Sequence, residues 1–204
     1  KEIAAQTGTA NVWASMSVDA ERNLLYIPVS SPSPNFFGGN RLKPIPLGTS
    51  VTALDIATGK VVWSRQLVHH DLWDYDTNSA PTLIDITRDG KTIPALVQTS
   101  KQGFLYVLDR TNGEPIYPIE ERPVPQSTVP GERSSTTQPF VALPRATVDP
   151  EWPGIFKLAD IVSFGYCSRK LKELVYQDRF TPPSLQGSLT YPATIGGVEW
   201  AGGD

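Results

Sequence analysis

The stretch VTALDIATGKVVW, residues 51–63, predicts a strand ending in aspartate, a four-residue turn that contains glycine, and a strand ending in an aromatic residue. The same pattern returns as FLYVLDRTNGEPIY at residues 104–117. Glycine supplies the positive φ that a tight hairpin turn needs, and aspartate can accept hydrogen bonds from the amides of the turn. The two copies therefore predict two hairpins of one repeated design.

Further strand patterns lie before the first copy and between the two copies. LLYIPV at 24–29 follows a polar turn, and PTLIDI at 81–86 is joined to IPALVQ at 93–98 by a turn that contains glycine. Roughly four strands thus separate successive copies, which is the content of one β-propeller blade in repeats of about 40–50 residues. Unrelated hairpins in a β-sandwich are the alternative. The recurrence in register favours an all-β, partial β-propeller.

Composition narrows the class of protein. The chain has 204 residues and a net charge of −3, and it contains no basic cluster that would indicate a nucleic acid or an anionic membrane surface as partner. No apolar run approaches the about 20 residues that span a bilayer. The 19 prolines and 16 glycines favour an all-β fold. Cys167 is the single cysteine, so an internal disulfide is excluded.

The run HHDLWDYD at residues 69–76 concentrates three carboxylates and two imidazoles among aromatic residues. Like charges held close together raise a carboxyl pKa, and exclusion of water by aromatic rings raises it further. Such a carboxylate can act as a general base near neutral pH. A solvated loop between two strands is the alternative interpretation of this run.

The two adjacent histidines of this run, His69 and His70, suggest a possible zinc site. Adjacent side chains on a strand point to opposite faces, so the two imidazoles are not expected to reach one ion. These are the only two histidines, and no further ligands with suitable spacing follow. We therefore do not expect zinc.

Together these features resemble the pyrroloquinoline quinone (PQQ) dehydrogenases, and most closely their membrane-bound glucose/quinate/shikimate branch. The similarity runs in order along essentially the whole chain. The stretches that carry it are the run 69–76, the two blade turns, NVWA at 11–14, PSPNFFGGNR at 32–41 and TPPSLQG at 181–187. Members of that family have an eight-bladed propeller with the quinone buried near its axis. The resemblance implies that this chain supplies about three of those blades.

The resemblance also implies a reaction and a setting. The reaction would be the oxidation of a sugar or cyclic polyol, with PQQ and a calcium or magnesium ion as cofactors and ubiquinone as electron acceptor. The parent protein would lie at the periplasmic face of the bacterial inner membrane, held by an anchor that this chain does not include. No nucleic acid partner is implied.

Five residues match positions with roles in that family. Asp74 falls at the catalytic base, which the family also uses at its metal site, and Lys101 falls at the basic residue that contacts the quinone carbonyl oxygens. Trp13 matches the indole beneath the cofactor ring. Ser33 matches a hydroxyl position near the cofactor, and Thr194 a position near the substrate or quinone. An aromatic face suits a planar quinone, and an ammonium group stabilises the negative charge that develops on its oxygen.

The chain differs from members of that family at two positions. Soluble alcohol-oxidising members have an asparagine metal ligand where this chain has Ser31, and the family's hard cation prefers oxygen ligands. Relatives often have Pro-Gly-Asn where this chain has PAT at residues 192–194. Thr194 is shorter than asparagine and has no amide, so its contact is expected to differ.

These features divide the chain into three parts. We expect propeller blades with the cofactor-site motifs at residues 1–118, a long irregular proline-rich insertion with short helices at 119–187, and the start of a further blade at 188–204. The short helices are expected near 155–161 and 168–176. Both ends suggest a piece of a larger protein. A few blades of a ring would expose raw packing faces, so we expect the piece to self-associate and to be inactive alone.

Two alternatives from other functional classes stay open. A non-catalytic propeller scaffold, like the lipoprotein of outer-membrane protein assembly, would need neither Asp74 nor Lys101. A calcium-dependent hydrolase on a propeller would need a water-activating carboxylate cluster but no stacking Trp13.

Overall fold

A computed structural model describes residues 10–142 and 156–198 of the chain. The first sheet is an antiparallel meander in the order β1-β2-β3-β4. Its strands are β1 Ser17–Asp19, β2 Leu24–Val29, β3 Ser50–Asp55 and β4 Val61–Gln66. This four-stranded unit has the strand content of one complete propeller blade.

The second sheet has three antiparallel strands in the order β5-β6-β7. Its strands are β5 Thr82–Arg88, β6 Lys91–Thr99 and β7 Leu105–Asp109. The predicted strand at 114–117 is reduced to one bridge between Leu108 and Pro115. Proline has no backbone N–H to donate, so it cannot extend the ladder as another residue would.

The two repeated turns form as the sequence predicts. Asp55 accepts hydrogen bonds from the Thr58 backbone N–H (2.8 Å) and hydroxyl (2.6 Å), and Gly59 has a φ of +68°. In the second copy Asp109 accepts a bond of 2.8 Å from the Thr111 N–H. The glycine of the second turn likewise has a φ of +75°.

The second turn packs onto the first sheet. Trp63 on β4 donates from Nε1 to the Arg110 carbonyl oxygen at 3.1 Å, and the Tyr26 hydroxyl donates to the same oxygen at 2.9 Å. The Arg110 guanidinium pairs with Asp19 at 2.8 Å. The aromatic residue that ends the first repeat therefore holds the turn of the next repeat, which joins the two sheets as neighbouring blades.

The segment 119–187 contains more regular structure than the proline pattern suggested. Strands β8 Ile119–Pro123 and β9 Thr137–Val141 form an antiparallel hairpin. Helices α1 Phe156–Val162 and α2 Tyr166–Glu173 follow close to the expected positions. Within the described residues 188–198 there is no strand, only a parallel bridge between Val175 and Ser188. The division at 118 and 187 stays a prediction.

The core is continuous from the first sheet to the segment after α2. Its fully buried large side chains come from both sheets, from the loop after β4 and from Phe180. The predicted all-β class is confirmed, with two blade-like sheets and a separate hairpin where about three blades were expected. No helix among the described residues is both long enough and apolar enough for a bilayer crossing.

Candidate active site

The run 69–76 forms a loop between β4 and β5 and not a strand, and buried Asp71 organises it. Its carboxylate accepts hydrogen bonds from the Trp73 N–H (2.9 Å), the Tyr75 N–H (3.0 Å) and the Thr49 hydroxyl (3.0 Å). Burial nevertheless raises the Asp71 pKa to about 6, because three hydrogen bonds do not replace full hydration of the charge. Asp71 thus has a structural role, as the acceptor around which the loop turns.

The aromatic residues of the run turn away from solvent and form a pair. Trp73 and Tyr75 stack with ring centroids 5.8 Å apart, and the Phe180 ring meets Trp73 edge-on at 5.3 Å. The Trp73 indole donates to the Thr181 carbonyl oxygen at 2.8 Å. This bond brings together the two stretches 69–76 and 181–187, which are distant in sequence.

The remaining carboxylates of the run converge on one cation. Lys101 Nζ lies 2.9 Å from Asp74 Oδ2 and 2.7 Å from Asp76 Oδ2. The other oxygen of Asp74 accepts a bond of 2.5 Å from the Asn35 amide, and that of Asp76 accepts one of 2.7 Å from the Ser31 N–H. The Asp74 side chain is 19% exposed, so it is sheltered but reachable from solvent.

Burial and charge set the protonation of this cluster. Burial raises the pKa of Asp74 above its usual range, and the nearby Asp76 charge adds to this, although the Lys101 hydrogen bond opposes it. For Lys101, burial alone would lower the pKa, but the hydrogen bonds to Asp76 and Asp74 leave it raised. Lys101 therefore keeps its charge at neutral pH beside a carboxylate that is more basic than an exposed aspartate.

The segment that contains Trp13 is linked, at Asn11, to the residues before the donor to Asp76. The Asn11 side-chain oxygen accepts a hydrogen bond of 2.8 Å from the Ser30 hydroxyl, and Ser30 immediately precedes the residue that donates to Asp76. Trp13 as a whole residue is 48% exposed. Its stacking role stays a prediction.

Ser33 and Thr194 approach the cluster by different routes. The Ser33 hydroxyl donates to the Asn35 side-chain oxygen at 3.4 Å. Asn35 in turn donates to Asp74, so Ser33 is connected to Asp74 through one intervening side chain. Thr194 lies in a turn closed by a bond of 2.7 Å from the Gly196 N–H to a carbonyl oxygen. That turn rests on Lys101, because a Cβ on Gly196 would lie 2.7 Å from the Lys101 Cα. The roles of both hydroxyl residues stay predictions.

Two members of the cluster had no role assigned from the sequence. Asp76 follows Asp74 by two residues, a spacing that lets two carboxylates reach one cation and could have indicated the pair. Asn35 carries no such signal, since its contact with Asp74 spans 39 residues. Only a folded chain reveals an amide partner of this kind.

The two histidines of the run lie in different surroundings. His69 Nε2 is 3.0 Å from a Glu121 carboxylate oxygen, whereas His70 Nε2 is buried beside Gly38 and has no hydrogen-bond partner in the described part of the chain. Burial lowers the pKa of His70 to about 4, with the Arg41 charge adding to the effect. A cavity of about 430 Å³ lies on this side of the loop, away from Asp74 and Lys101.

The cluster has the donors and acceptors that a polar planar ligand would use. Lys101 has three N–H bonds and gives two of them to carboxylates, which leaves one donor for a further acceptor. Three buried side-chain oxygens at or next to residues of the cluster have no hydrogen-bond partner among the described residues. They are Ser31 Oγ, Thr77 Oγ1 and Asn78 Oδ1. Buried polar atoms are normally satisfied, so a water molecule, a ligand or a further part of the protein is expected to meet them.

A metal ion finds less support. In the described ranges no three His, Cys, Asp or Glu side chains are grouped so as to hold one. Asp74 also already accepts hydrogen bonds from an amide and an ammonium group. A calcium or magnesium ion there would need further oxygen ligands, and the metal role of Asp74 stays a prediction.

Comparison with known proteins gives consistent matches. The family model described as "PQQ: Glucose/ethanol/alcohol dehydrogenase, beta-propeller domain" matches residues 1–204. The quinoprotein glucose dehydrogenase of Escherichia coli (strain K12) is 40% identical over 194 residues, which cover 94% of this chain and 24% of that protein. The probable quinate dehydrogenase (quinone) of Xanthomonas campestris pv. juglandis is 37% identical over 197 residues, covering 95% of this chain and 25% of that protein.

Among solved structures, the quinohemoprotein alcohol dehydrogenase from Comamonas testosteroni aligns with a TM-score of 0.49 and 32% identity, covering 71% of this chain and 22% of that chain. The chain thus spans about a quarter of the length of the curated relatives it matches.

Proposed function

Because this chain belongs to the PQQ glucose/ethanol/alcohol dehydrogenase β-propeller family, we propose that the protein containing it is a quinoprotein dehydrogenase that oxidises a sugar or cyclic polyol. The observation that carries this proposal is the Lys101 ammonium group held between Asp74 and Asp76. In a scaffold propeller such a sheltered cluster would be idle, and a hydrolase would gain nothing from the lysine. Relatives named for glucose and quinate support the substrate class.

Asp74 is the proposed general base. Its raised pKa and partial shelter suit the removal of a proton from a substrate hydroxyl. The Asn35 amide fixes one carboxylate oxygen and Lys101 the other. Each oxygen has a second lone pair, so these bonds orient the carboxylate without preventing it from accepting a proton.

Lys101 and its neighbours would hold the cofactor. PQQ, when bound, supplies the hydride acceptor that no side chain of this chain can provide. The remaining N–H of Lys101 would face a quinone carbonyl oxygen and stabilise the negative charge that develops there. Trp13 would offer an aromatic surface to the ring, while Ser33 and Thr194 would offer hydroxyl groups. Asp74 would also contribute one oxygen to a calcium or magnesium ion.

The wider setting follows from the family. We propose that electrons pass to ubiquinone, and that the intact protein works at the periplasmic face of the bacterial inner membrane through a membrane anchor. The proposed division remains blades at 1–118, an insertion at 119–187 and a further blade from 188. The 204-residue chain alone is expected to self-associate and to lack activity, since blades packed on one another leave open faces when separated.

The test is reconstitution of the intact protein with PQQ and calcium or magnesium, followed by dye-linked oxidation of glucose and quinate. We expect Asp74→Asn to bind the quinone but to lose turnover by at least about 100-fold, the usual size of a general-base contribution. Asp89→Asn is the matched control, because that carboxylate lies in an exposed turn. Normal turnover in Asp74→Asn would show that another group is the base. A protein that binds no quinone and oxidises no alcohol would support the scaffold alternative.

A further inference from the structure

The cavity of about 430 Å³ lies behind the loop 69–76, away from the lysine–aspartate cluster. The start of that loop forms one wall, and the segments 41–49 and 133–136 form two others. Arg133 donates from Nη2 to the Leu42 carbonyl oxygen at 3.0 Å, which joins the second wall to the third. The cavity is thus enclosed by three segments that are far apart in the sequence.

The wall at 41–49 is held in place by hydrogen bonds. Gln66 on β4 donates from Nε2 to the carbonyl oxygens of Ile45 (3.0 Å) and Gly48 (2.9 Å). The Gly48 N–H also donates to the Ile45 carbonyl oxygen at 3.0 Å, which closes a tight turn. A wall fixed in this way does not have to be ordered when a ligand enters, so less binding free energy is lost.

The guanidinium group of Arg41 is buried at this cavity without an ion-pair partner. Arg41 is 4% exposed, and its Nε and Nη2 donate to the backbone carbonyl oxygens of Pro34 and Asp71. Among the residues that the structure describes, Nη1 donates no hydrogen bond and Arg41 forms no ion pair. A buried charge is costly unless an opposite charge meets it. The two N–H bonds of Nη1 are therefore available to an anion.

Two further cations line the cavity at its exposed rim. They are Lys43 and Arg133, and Arg133 uses only Nη2 for its bond to the described residues. Burial lowers the pKa of His70, and the charges of Arg41 and Arg133 both add to this effect. The two guanidinium groups thus lie near the same imidazole ring. Three positively charged side chains therefore surround one space.

The carboxylates nearby do not pair directly with Arg41. Asp71 lines the cavity, but its oxygens already accept three hydrogen bonds, and burial raises its pKa to about 6. Glu132 accepts a bond of 2.5 Å from the Gly38 N–H, and burial raises its pKa above the usual range. Both charges act on Arg41 through space and not through a hydrogen bond. Glu121 is half exposed, so water screens its charge.

We propose that this cavity binds a small organic carboxylate, held by Arg41 at the floor and by Arg133 and Lys43 at the rim. A guanidinium group presents paired N–H donors that match the two oxygens of a carboxylate. A single water-sized ion needs only about 30 Å³, whereas pockets for small organic molecules measure about 300–1,000 Å³. Residues 44–46, Pro-Ile-Pro, provide an apolar wall for the rest of such a ligand. This inference is independent of the dehydrogenase proposal.

The test follows 4-(trifluoromethyl)benzoate by fluorine NMR in the presence of the intact protein, with and without added PQQ. We expect its resonance to broaden in both samples, whereas the neutral 4-(trifluoromethyl)benzamide stays sharp because it offers Arg41 no charge. Arg133→Gln with Lys43→Gln should weaken binding by at least about tenfold, since charge-assisted hydrogen bonds are lost. Arg88→Gln with Lys91→Gln is the matched control, because both cations are exposed at the turn between β5 and β6 and do not line the cavity.

Several outcomes would overturn the proposal. A sharp benzoate resonance would show that the cavity takes no carboxylate in the intact protein. Displacement of the benzoate by PQQ would place its site at Lys101, and equal broadening of the benzamide would indicate a purely apolar pocket. Tighter binding of inorganic phosphate, measured by competition, would indicate a simple anion site. Both double variants should keep the wild-type circular dichroism spectrum, and equal affinity of the two would refute the assignment of the benzoate to this cavity.

Discussion

The two repeated turns offer a controlled test of how the sheets are joined. Gly59 and Gly113 occupy the same place in the two copies, with φ values of +68° and +75°. A Cβ at Gly59 would meet nothing within 4 Å. A Cβ at Gly113 would lie 2.6 Å from Cε3 and 2.8 Å from Cδ2 of the Trp63 ring. Alanine at the two positions therefore differs in inter-sheet packing and in little else.

The expected magnitudes follow from these distances. Left-handed backbone costs alanine about 1–2 kcal/mol, and the loss of unfolded-state entropy returns roughly 0.4–1 kcal/mol, so Gly59→Ala should cost about 1 kcal/mol. At Gly113 the Trp63 ring must also shift. Overpacking of this kind typically costs about 1–3 kcal/mol, and the hydrogen bond from Trp63 to the Arg110 carbonyl oxygen contributes about 1 kcal/mol more. Gly113→Ala should therefore cost about 3–5 kcal/mol.

The assay is urea unfolding of both variants in the same protein, followed by circular dichroism. We expect the costs of the two substitutions to differ by about 2–4 kcal/mol in the free energy of unfolding, with little change in the denaturant slope. Trp63→Leu provides the third arm of a double-mutant cycle: in that background the two glycine substitutions should cost the same. Equal costs in the wild-type background would refute the packing of the second turn onto the first sheet.

Three further predictions concern the loop and its cluster. Gly196→Ala should displace the turn from Lys101 and weaken quinone binding by at least about tenfold, measured by fluorescence titration, because its φ of +91° and the 2.7 Å approach both oppose a Cβ. His70 has a folded pKa of about 4, below the unfolded value, so stability should fall as pH drops from 6.5 towards 4. That loss should reach about 2 kcal/mol by urea unfolding at pH 4.5, and His70→Gln should remove most of it. Lys101→Met should cost about 3 kcal/mol in urea unfolding at pH 7 because Asp74 and Asp76 lose their shared cation, and acid should recover part of this as Asp74, whose pKa is raised by burial, protonates; full stability at pH 7 would contradict the ion pairs.

Local features of the fold were predictable from the sequence. The turns at Asp55 and Asp109 depend on contacts between residues two to four positions apart, so a short pattern specifies them. The hairpin of β8 and β9 was missed because Pro123 and Pro139 interrupt the alternation. A two-stranded sheet tolerates both, since each strand has one edge without a partner.

The site was predictable only in part. Asp74 and Lys101 were identified by resemblance to a family, since nothing in a spacing of 27 residues requires them to meet. Asn35 and the turn at Gly196 reach the same cluster from positions far apart in the sequence. Such contacts depend on the arrangement of the sheets and loops. A single sequence carries no local pattern for them.

The bond between Trp63 and Arg110 also imposes an order in time. The chain emerges with its amino terminus first, and the indole finds its acceptor only after 47 more residues have appeared. At the usual rate of synthesis, about 5–20 residues per second, this is a wait of about 2–10 s. Each sheet would thus lack its hydrogen bond to the next sheet until the turn of that next sheet has been synthesised. A nascent protein built in this way would depend on chaperones most at its growing end.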